Sequence, residues 1–338
     1  MNSSVSIVIP VWNEQDNVVE LIDRCVLAGD RLGREYEIVL VDDGSSDASR
    51  ERIAQKVEQY PGKVKGVFLN RNYGQHSAVI CGLHHARGAL VVTLDADLQN
   101  PPEEIPRIVA KADEGYDVVG SVRRNRRDSL FRRLSSHLIN HMVKRATGVM
   151  MHDYGCMLRS YSRTVVQAIL QCPERSTFVP VLGNSFATRT SEIDVRHDER
   201  KAGTSKYGVM KLFHLMFDLM TTMTTAPLRM LTIVGGVLSL LGVGFGLLLL
   251  VLRLLNGPAW AADGVFTLFA IAFFFLGAQF VALGLLGEYI GRIHIDVRAR
   301  PRFFVERTVG ETRLLDQPPG DETPRPRPAA PQLARGRS

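Results

Sequence analysis

Cysteine is scarce in this 338-residue chain: Cys25, Cys81, Cys156 and Cys172 are the four, and no two stand as Cys-x-x-Cys. That scatter argues against a zinc site or a disulfide frame and for reduced thiols in a cytosolic setting. Glycine-rich nucleotide loops are missing too. The turn after the first apolar run reads Pro10-Val11-Trp12-Asn13-Glu14, with no glycine. A dinucleotide-binding Rossmann turn is thereby excluded, and no P-loop occurs elsewhere. Charge is absent over residues 231–252 and again over 265–286, two runs of 22 residues each. About 20 apolar residues cross a hydrocarbon core, so both runs are expected to be transmembrane helices, their glycines serving helix packing. No secretory signal peptide is expected at the start, since the run at residues 5–11 is short and lacks a basic flank and cleavage site.

What is present in residues 1–200 is a soluble α/β pattern. Apolar, β-branched runs at 4–11, 36–41, 64–69 and 89–94 read as strands, with helices expected at 14–32, after 47, and at 74–86. Such alternation predicts a doubly wound, mostly parallel sheet. Ligands of these sheets bind beyond the carboxyl ends of the strands. Three successive ends are polar here: Asn13-Glu14, Asp42-Asp43 and Asp95-Ala96-Asp97.

The last of these is the most informative. Val91-Val92-Thr93-Leu94 delivers two carboxylates one residue apart, and Pro101-Pro102 stops the strand from continuing. Two acids so placed repel each other unless a cation sits between them. Hard oxygen donors suit Mg²⁺ or Mn²⁺, whose coordination is usually completed by substrate phosphates. The alternative, an acidic turn capping the next helix, stays open at this point. Gln99 is open in the same way, as a metal ligand or as an N-cap or surface amide.

These blocks carry a family resemblance. Val8-Ile9-Pro10-Val11-Trp12-Asn13-Glu14, Val41-Asp42-Asp43-Gly44-Ser45-Ser46-Asp47 and Leu94-Asp95-Ala96-Asp97-Leu98-Gln99 resemble, in order and spacing, the signature blocks of glycosyltransferase family two. Asn70-Arg71-Asn72-Tyr73-Gly74-Gln75-His76 and Gln99-Asn100-Pro101-Pro102-Glu103 are similar to its polyprenyl-phosphate branch. The blocks at 153–159, 174–178, 286–292 and 296–301 resemble members that move 4-deoxy-4-formamido-L-arabinose onto undecaprenyl phosphate, a step tied to lipid A modification and polymyxin resistance.

The resemblance implies a glycosyltransferase A-type fold, a UDP-sugar donor and an inverting, metal-dependent transfer to undecaprenyl phosphate. Pro10, Val11, Asn13, Glu14, Asp42 and Asp95 would hold the nucleotide and donor, with Asp42 towards the uracil or ribose. Asp95, Asp97 and Gln99 would hold Mg²⁺ or Mn²⁺. Asp153 matches the carboxylate behind the attacking oxygen, where it could orient the acceptor, take a residual proton, or only hold Arg159. Arg200 and Lys206 match a loop closing over the donor. Arg132 and Ser136 match the acceptor-phosphate pair, with Arg123 and Arg127 as further phosphate candidates. A hexose in place of the aminoarabinose, and a non-catalytic membrane scaffold, remain as alternatives. A processive polysaccharide synthase is disfavoured, because neither Trp12 nor Trp260 lies in a Gln-x-x-Arg-Trp block.

Arg123, Arg124, Arg126, Arg127, Arg132 and Arg133 also read, without the family, as a solvated basic loop. No groove-reading module accompanies them, so nucleic acid is not expected as a partner, whereas anionic membrane lipid is. The expected organisation is a cytoplasmic domain at 1–200, a loop with interfacial helices at 201–230, the spans within 231–290, a basic segment at 291–307 and a disordered tail at 308–338. Lys206, Lys211 and Arg229 before the spans, and Arg292, Arg298 and Arg300 after them, place both ends in the cytoplasm of a bacterial inner-membrane protein. A homo-oligomer is an expectation from the resemblance alone.

Overall fold

The structure is a computed structural model that describes residues 4–123, 156–172, 178–196, 226–256, 265–298 and 300–312. Its centre is an eight-stranded sheet in the order β7-β5-β6-β4-β1-β2-β3-β8. The first half alternates as the hydropathy pattern requires: β1 (Val5–Val11), α1 (Gln15–Asp30), β2 (Tyr36–Asp42), α2 (Ser49–Gln59), β3 (Val64–Leu69), α3 (Gln75–His85) and β4 (Leu90–Thr93). A 3-10 turn, Pro102–Glu104, leads into α4 (Ile105–Asp113), followed by β5 (Val118–Arg123), β6 (Arg159–Ser162), α5 (Arg163–Gln171), α6 (Val179–Phe186) and β7 (Thr190–Val195).

The central strands are largely apolar because both faces are covered, with Ser6, Glu37, Asp42 and Thr93 as buried polar exceptions. Successive residues feed opposite cores. Val5, Ile7, Ile9 and Val11 of β1 pack with α1, α2 and α4 through Leu21, Ile22, Ile53 and Ile108. Val8 points the other way, with Val39, Val41 and Val91, into the layer built by α3, α5 and α6. On that face α3 lies close to the sheet: a Cβ on Gly82 would stand 2.3 Å from Val8 Cγ1.

Six of the eight strands run one way, while β6 is antiparallel to β4 and β5, and β8 is antiparallel to β3. The mostly parallel sheet is therefore present, with two reversed strands that the hydropathy pattern does not announce. Strand order reverses between β1 and β4, which are neighbours. The crevice beyond their carboxyl ends is the switch point where a doubly wound sheet receives its ligand.

Two long helices follow, α7 (Ala226–Asn256) and α8 (Val265–Val297). Both are long and apolar enough to cross a membrane, over Met230–Leu249 and Phe274–Gly291. Their apolar side chains face outward, as with Leu240, Leu254 and Val281, which in water would be an exposed surface far larger than a soluble monomer tolerates. The uncharged runs 231–252 and 265–286 fall inside these helices. Past α8 the chain returns to the sheet as β8 (Val305–Val309), pairing Gly66 with Val309 and Phe68 with Arg307. Thr312 then donates to the fully buried Glu37. A disordered tail starting at 308 is thus corrected: residues 308–312 are part of the folded domain, because Val305–Val309 pairs with β3 and Thr312 is buried against Glu37. Of the loop and interfacial helices expected at 201–230, residues 226–230 open α7, and residues 201–225, like 313–338, lie outside the described residues.

Candidate active site

The turns after β1 and β2 are one interlocked unit. Asn13 N–H donates to Ser45 Oγ (3.0 Å), Glu14 N–H to Ser49 Oγ (3.0 Å) and Gln15 N–H to Asp47 Oδ2 (3.1 Å). In return Asn13 Oδ1 accepts from Ser46 N–H (2.9 Å) and Gln15 Oε1 from Ala48 N–H (3.1 Å). Neither α1 nor α2 is capped by its own N-cap side chain. Each turn instead satisfies the orphan amides at the start of the other's helix. Asn13 takes a left-handed φ of 54° to make this lock, a conformation asparagine tolerates better than most residues.

The neighbouring acids of β2 have separate jobs. Asp42 is fully buried; its Oδ2 accepts from Arg50 Nε at 2.7 Å and from Ser45 N–H at 3.2 Å. Its Oδ1 is buried with no partner among the described residues. So Asp42, expected to face the nucleotide, sits beneath the turn and holds its shape. Asp43 reaches across to the next loop, accepting from Tyr73 N–H (2.7 Å) and Gly74 N–H (2.9 Å). Burial pushes the Asp43 carboxyl above its ordinary range, and those two donors partly offset it.

The third strand end carries the residues expected to hold the metal. Asp95, Asp97 and Gln99 are half-exposed, while Ala96, Leu98 and Asn100 between and after them are buried. The strand's alternation thus persists past β4 and keeps three oxygen-bearing side chains on the open side of one short segment. Leu98 has φ 60°, and it and Asn13 are the two non-glycine residues with left-handed φ among those described. Both lie at the switch-point crevice, and each conformation costs about 1 kcal/mol or more of backbone strain. Burial of the Leu98 side chain in the core holds that conformation.

Asp97 Oδ1 accepts the Gln99 N–H (3.1 Å), which fixes the turn, and Gln75 Nε2 donates to Asp95 Oδ1 (2.6 Å). No cluster of three His, Cys, Asp or Glu able to hold a metal occurs among the described residues. Two carboxylates and one amide fit a hard divalent cation that takes its remaining oxygens from a substrate, rather than a metal caged by protein alone.

Cys156 stitches the start of the next segment to this loop. Its Sγ lies 3.4 Å from Asn100 Oδ1 and 2.8 Å from Ser121 Oγ, and Ser121 Oγ also donates to Leu158 O at 2.7 Å. Arg159, fully buried, donates from Nε to Cys156 O at 2.9 Å. The chain just past Asp153 is therefore anchored against the acidic loop. Asp153 itself, Arg127, Arg132, Ser136, Arg200 and Lys206 lie outside the described residues, and Arg123 is placed only as the last residue of β5. Pro10 and Val11 end β1 beside the interlocked turns, Val11 O accepting Asp43 N–H at 2.8 Å. Arg50, Asp43 and Gln75 are the site's contributors that sequence reasoning misses. For Gln75 the signal was available, since it opens a helix directly after a left-handed glycine, Gly74.

All four cysteines are free thiols, and burial raises the pKa of Cys25 and takes Cys81 to about 12. His76, in the first turn of α3, meets Phe178 edge-on at 4.8 Å, with Nδ1 buried and unpartnered. Burial pulls its pKa down to about 4. Because the folded value lies below the unfolded one near 6.5, its contribution is intact above that value and is lost as pH falls towards 4. Going from pH 7 to pH 5 should cost the fold about 2 kcal/mol through this group. Unfolding midpoints of wild type and His76→Leu at the two pH values check this, the variant being expected to lose less.

Residues 6–170 match the sequence profile of glycosyl transferase family 2. Over 305 residues the chain is 61% identical to the undecaprenyl-phosphate 4-deoxy-4-formamido-L-arabinose transferase of Edwardsiella ictaluri, covering 90% of this chain and 94% of that one. It belongs to glycosyl transferase family 2. The enzyme of that name from Shewanella sediminis is 62% identical over 302 residues, covering 89% and 91%. Among solved structures, mannosyl-3-phosphoglycerate synthase from Rubrobacter xylanophilus aligns with a TM-score of 0.48 at 16% identity, over 64% of this chain and 71% of that one. The family two membership makes the chain a glycosyltransferase, as the strand-end blocks imply, and the sheet is of the glycosyltransferase A type.

Proposed function

We propose that the chain transfers 4-deoxy-4-formamido-L-arabinose from its UDP ester to undecaprenyl phosphate, with inversion, at the cytoplasmic face of a bacterial inner membrane. The observation that carries the sugar and the acceptor is identity of 58–62% over about 90% of the chain to transferases so named. The switch-point crevice supports the rest. Its interlocked turns, with Asn13 and Glu14 at the rim and Asp42 beneath, offer a nucleotide seat without a glycine loop. Asp95, Asp97 and Gln99 would hold Mg²⁺ or Mn²⁺, which when bound neutralises the charge developing on the departing diphosphate.

The acceptor is a phosphate monoester with a second pKa near 6, so it reaches the site largely dianionic. Its nucleophilic oxygen then needs orientation more than deprotonation. Asp153 serves that positioning or takes a residual proton, consistent with the anchoring of Cys156 beside the acidic loop. Arg132, Ser136, Arg123 and Arg127 supply the acceptor-phosphate contacts, and Arg200 and Lys206 close on the donor. The helices α7 and α8 present the crevice to lipid, with both chain ends cytoplasmic and the chain acting as a homo-oligomer.

The test incubates the purified full chain and undecaprenyl phosphate with a panel of UDP-sugars, followed by mass spectrometry of the lipid product. A formamidopentosyl lipid is expected. Transfer from UDP-glucose with none from the formamido-arabinose donor would replace the sugar assignment with a hexosyl one.

A further inference from the structure

The strand that follows α8 is linked to the buried Asp42 at the end of β2 through Arg50. Arg50, on α2, reaches Asp42 Oδ2 from Nε (2.7 Å) and Glu306 Oε2 from Nη2 (3.1 Å), and Nη2 also donates to Leu69 O. Its guanidinium lies 5.8 Å from the Phe68 ring centroid, with Arg307 at 4.6 Å from the same centroid. A fully buried carboxylate such as Asp42 needs a fixed counter-charge. A guanidinium can serve two acceptors at once because its donors form a rigid fork. Asp42 in turn holds Ser45, whose hydroxyl receives Asn13 N–H at the rim of the crevice. A continuous chain of polar contacts thus runs from Asn13 through Ser45, Asp42 and Arg50 to Glu306.

Glu306 does not belong to the core of the domain. It stands on β8, entered from the long apolar helix, and β8 is seated by its own contacts: Arg302 Nη2 donates to Cys172 O (2.7 Å), and Thr312 to Glu37. We infer that Arg50 is a positioning residue for the nucleotide seat, and that Glu306 makes the seat depend on docking of the strand that follows the second apolar helix. The inference rests on the reading of this crevice as the UDP site. A chain whose β8 is displaced then binds nucleotide more weakly, although β8 supplies none of the residues proposed to hold the nucleotide.

Calorimetric titration of the detergent-solubilised full chain with UDP and Mg²⁺ tests this, with thermal melting and steady-state kinetics alongside. Glu306 is half-exposed, so Glu306→Gln is expected to weaken UDP by about three-fold, with kcat at saturating donor and the melting temperature unchanged. Arg50→Lys keeps the charge on Asp42 and loses the fork, and about a ten-fold loss is expected. The double variant should bind as Arg50→Lys does, since Glu306 acts through Arg50. UDP affinity unchanged in either folded variant, or losses that simply multiply, overturns the inference while leaving the UDP site standing. A wild-type chain that binds no UDP overturns both.

Discussion

Asp97→Ala should lower turnover about a thousand-fold, the loss expected when a charge-stabilising element is removed from a transfer of this kind. The chain should melt at an unchanged temperature. Asp97 is half-exposed, and its structural part is one bond to the Gln99 N–H at 3.1 Å on a segment already held by burial of Ala96, Leu98 and Asn100. Chelating divalent ions from the wild type should reproduce the loss, and Mg²⁺ or Mn²⁺ should restore it. Binding of Mn²⁺ in the presence of UDP, followed by electron paramagnetic resonance, gives a second readout independent of turnover. Equal Mn²⁺ affinity in the variant and the wild type would remove Asp97 from the donor set and return Asp95-Ala96-Asp97 to an acidic turn. The same variant separates an enzyme from a scaffold, since a scaffold keeps its cellular role without the metal.

The acidic loop is legible in the sequence because its chemistry is local. Two carboxylates at a strand end, followed by a Pro-Pro stop, are readable without knowing what packs around them. The strands β1 to β4 are legible for a related reason: strands covered on both faces become predominantly apolar, β-branched runs, and their ends then locate the crevice. What is not legible depends on long-range pairing. Strand β6 is Arg159-Ser160-Tyr161-Ser162, a polar string that looks like a loop until Arg159 is seen buried with its Nε on Cys156 O. Strand β8 carries Glu306 and Arg307 and takes its order from β3, more than two hundred residues earlier in the chain. The Asp42-Asp43 pair shows the limit most sharply. Both stand on one polar strand end, and the family resemblance turns Asp42 alone towards the nucleotide. Only the approach of Arg50 to one and of Tyr73 and Gly74 to the other distinguishes a buried support from a brace between loops.

Gly44→Ala tests that brace and should be among the most damaging single-methyl changes in the domain. Gly44 has a left-handed φ of 67°, and a Cβ there would stand 2.3 Å from the Arg71 carbonyl carbon and 2.6 Å from Asn72 N. Those are backbone atoms of the loop whose Tyr73 and Gly74 amides bond to Asp43, so the loop cannot yield by turning a side chain. Strain of about 1–2 kcal/mol from the conformation adds to an overpacking cost of similar size, giving about 3 kcal/mol in all. Pushing Arg71 and Asn72 away also breaks the Asp43 brace, so UDP affinity should fall by about ten-fold or more, because two unmade hydrogen bonds to a carboxylate are worth at least that. Gly33 provides the control: its φ is also left-handed, at 64°, but a Cβ there meets nothing within 4 Å. Gly33→Ala should therefore show the conformational cost alone, about 1 kcal/mol, with UDP binding intact. Thermal melting and UDP titration of the two variants side by side isolate the clash from the strain. If the two lose equal stability and both keep wild-type UDP affinity, the approach of the Asp43 turn to the Arg71 loop does not hold the nucleotide seat together.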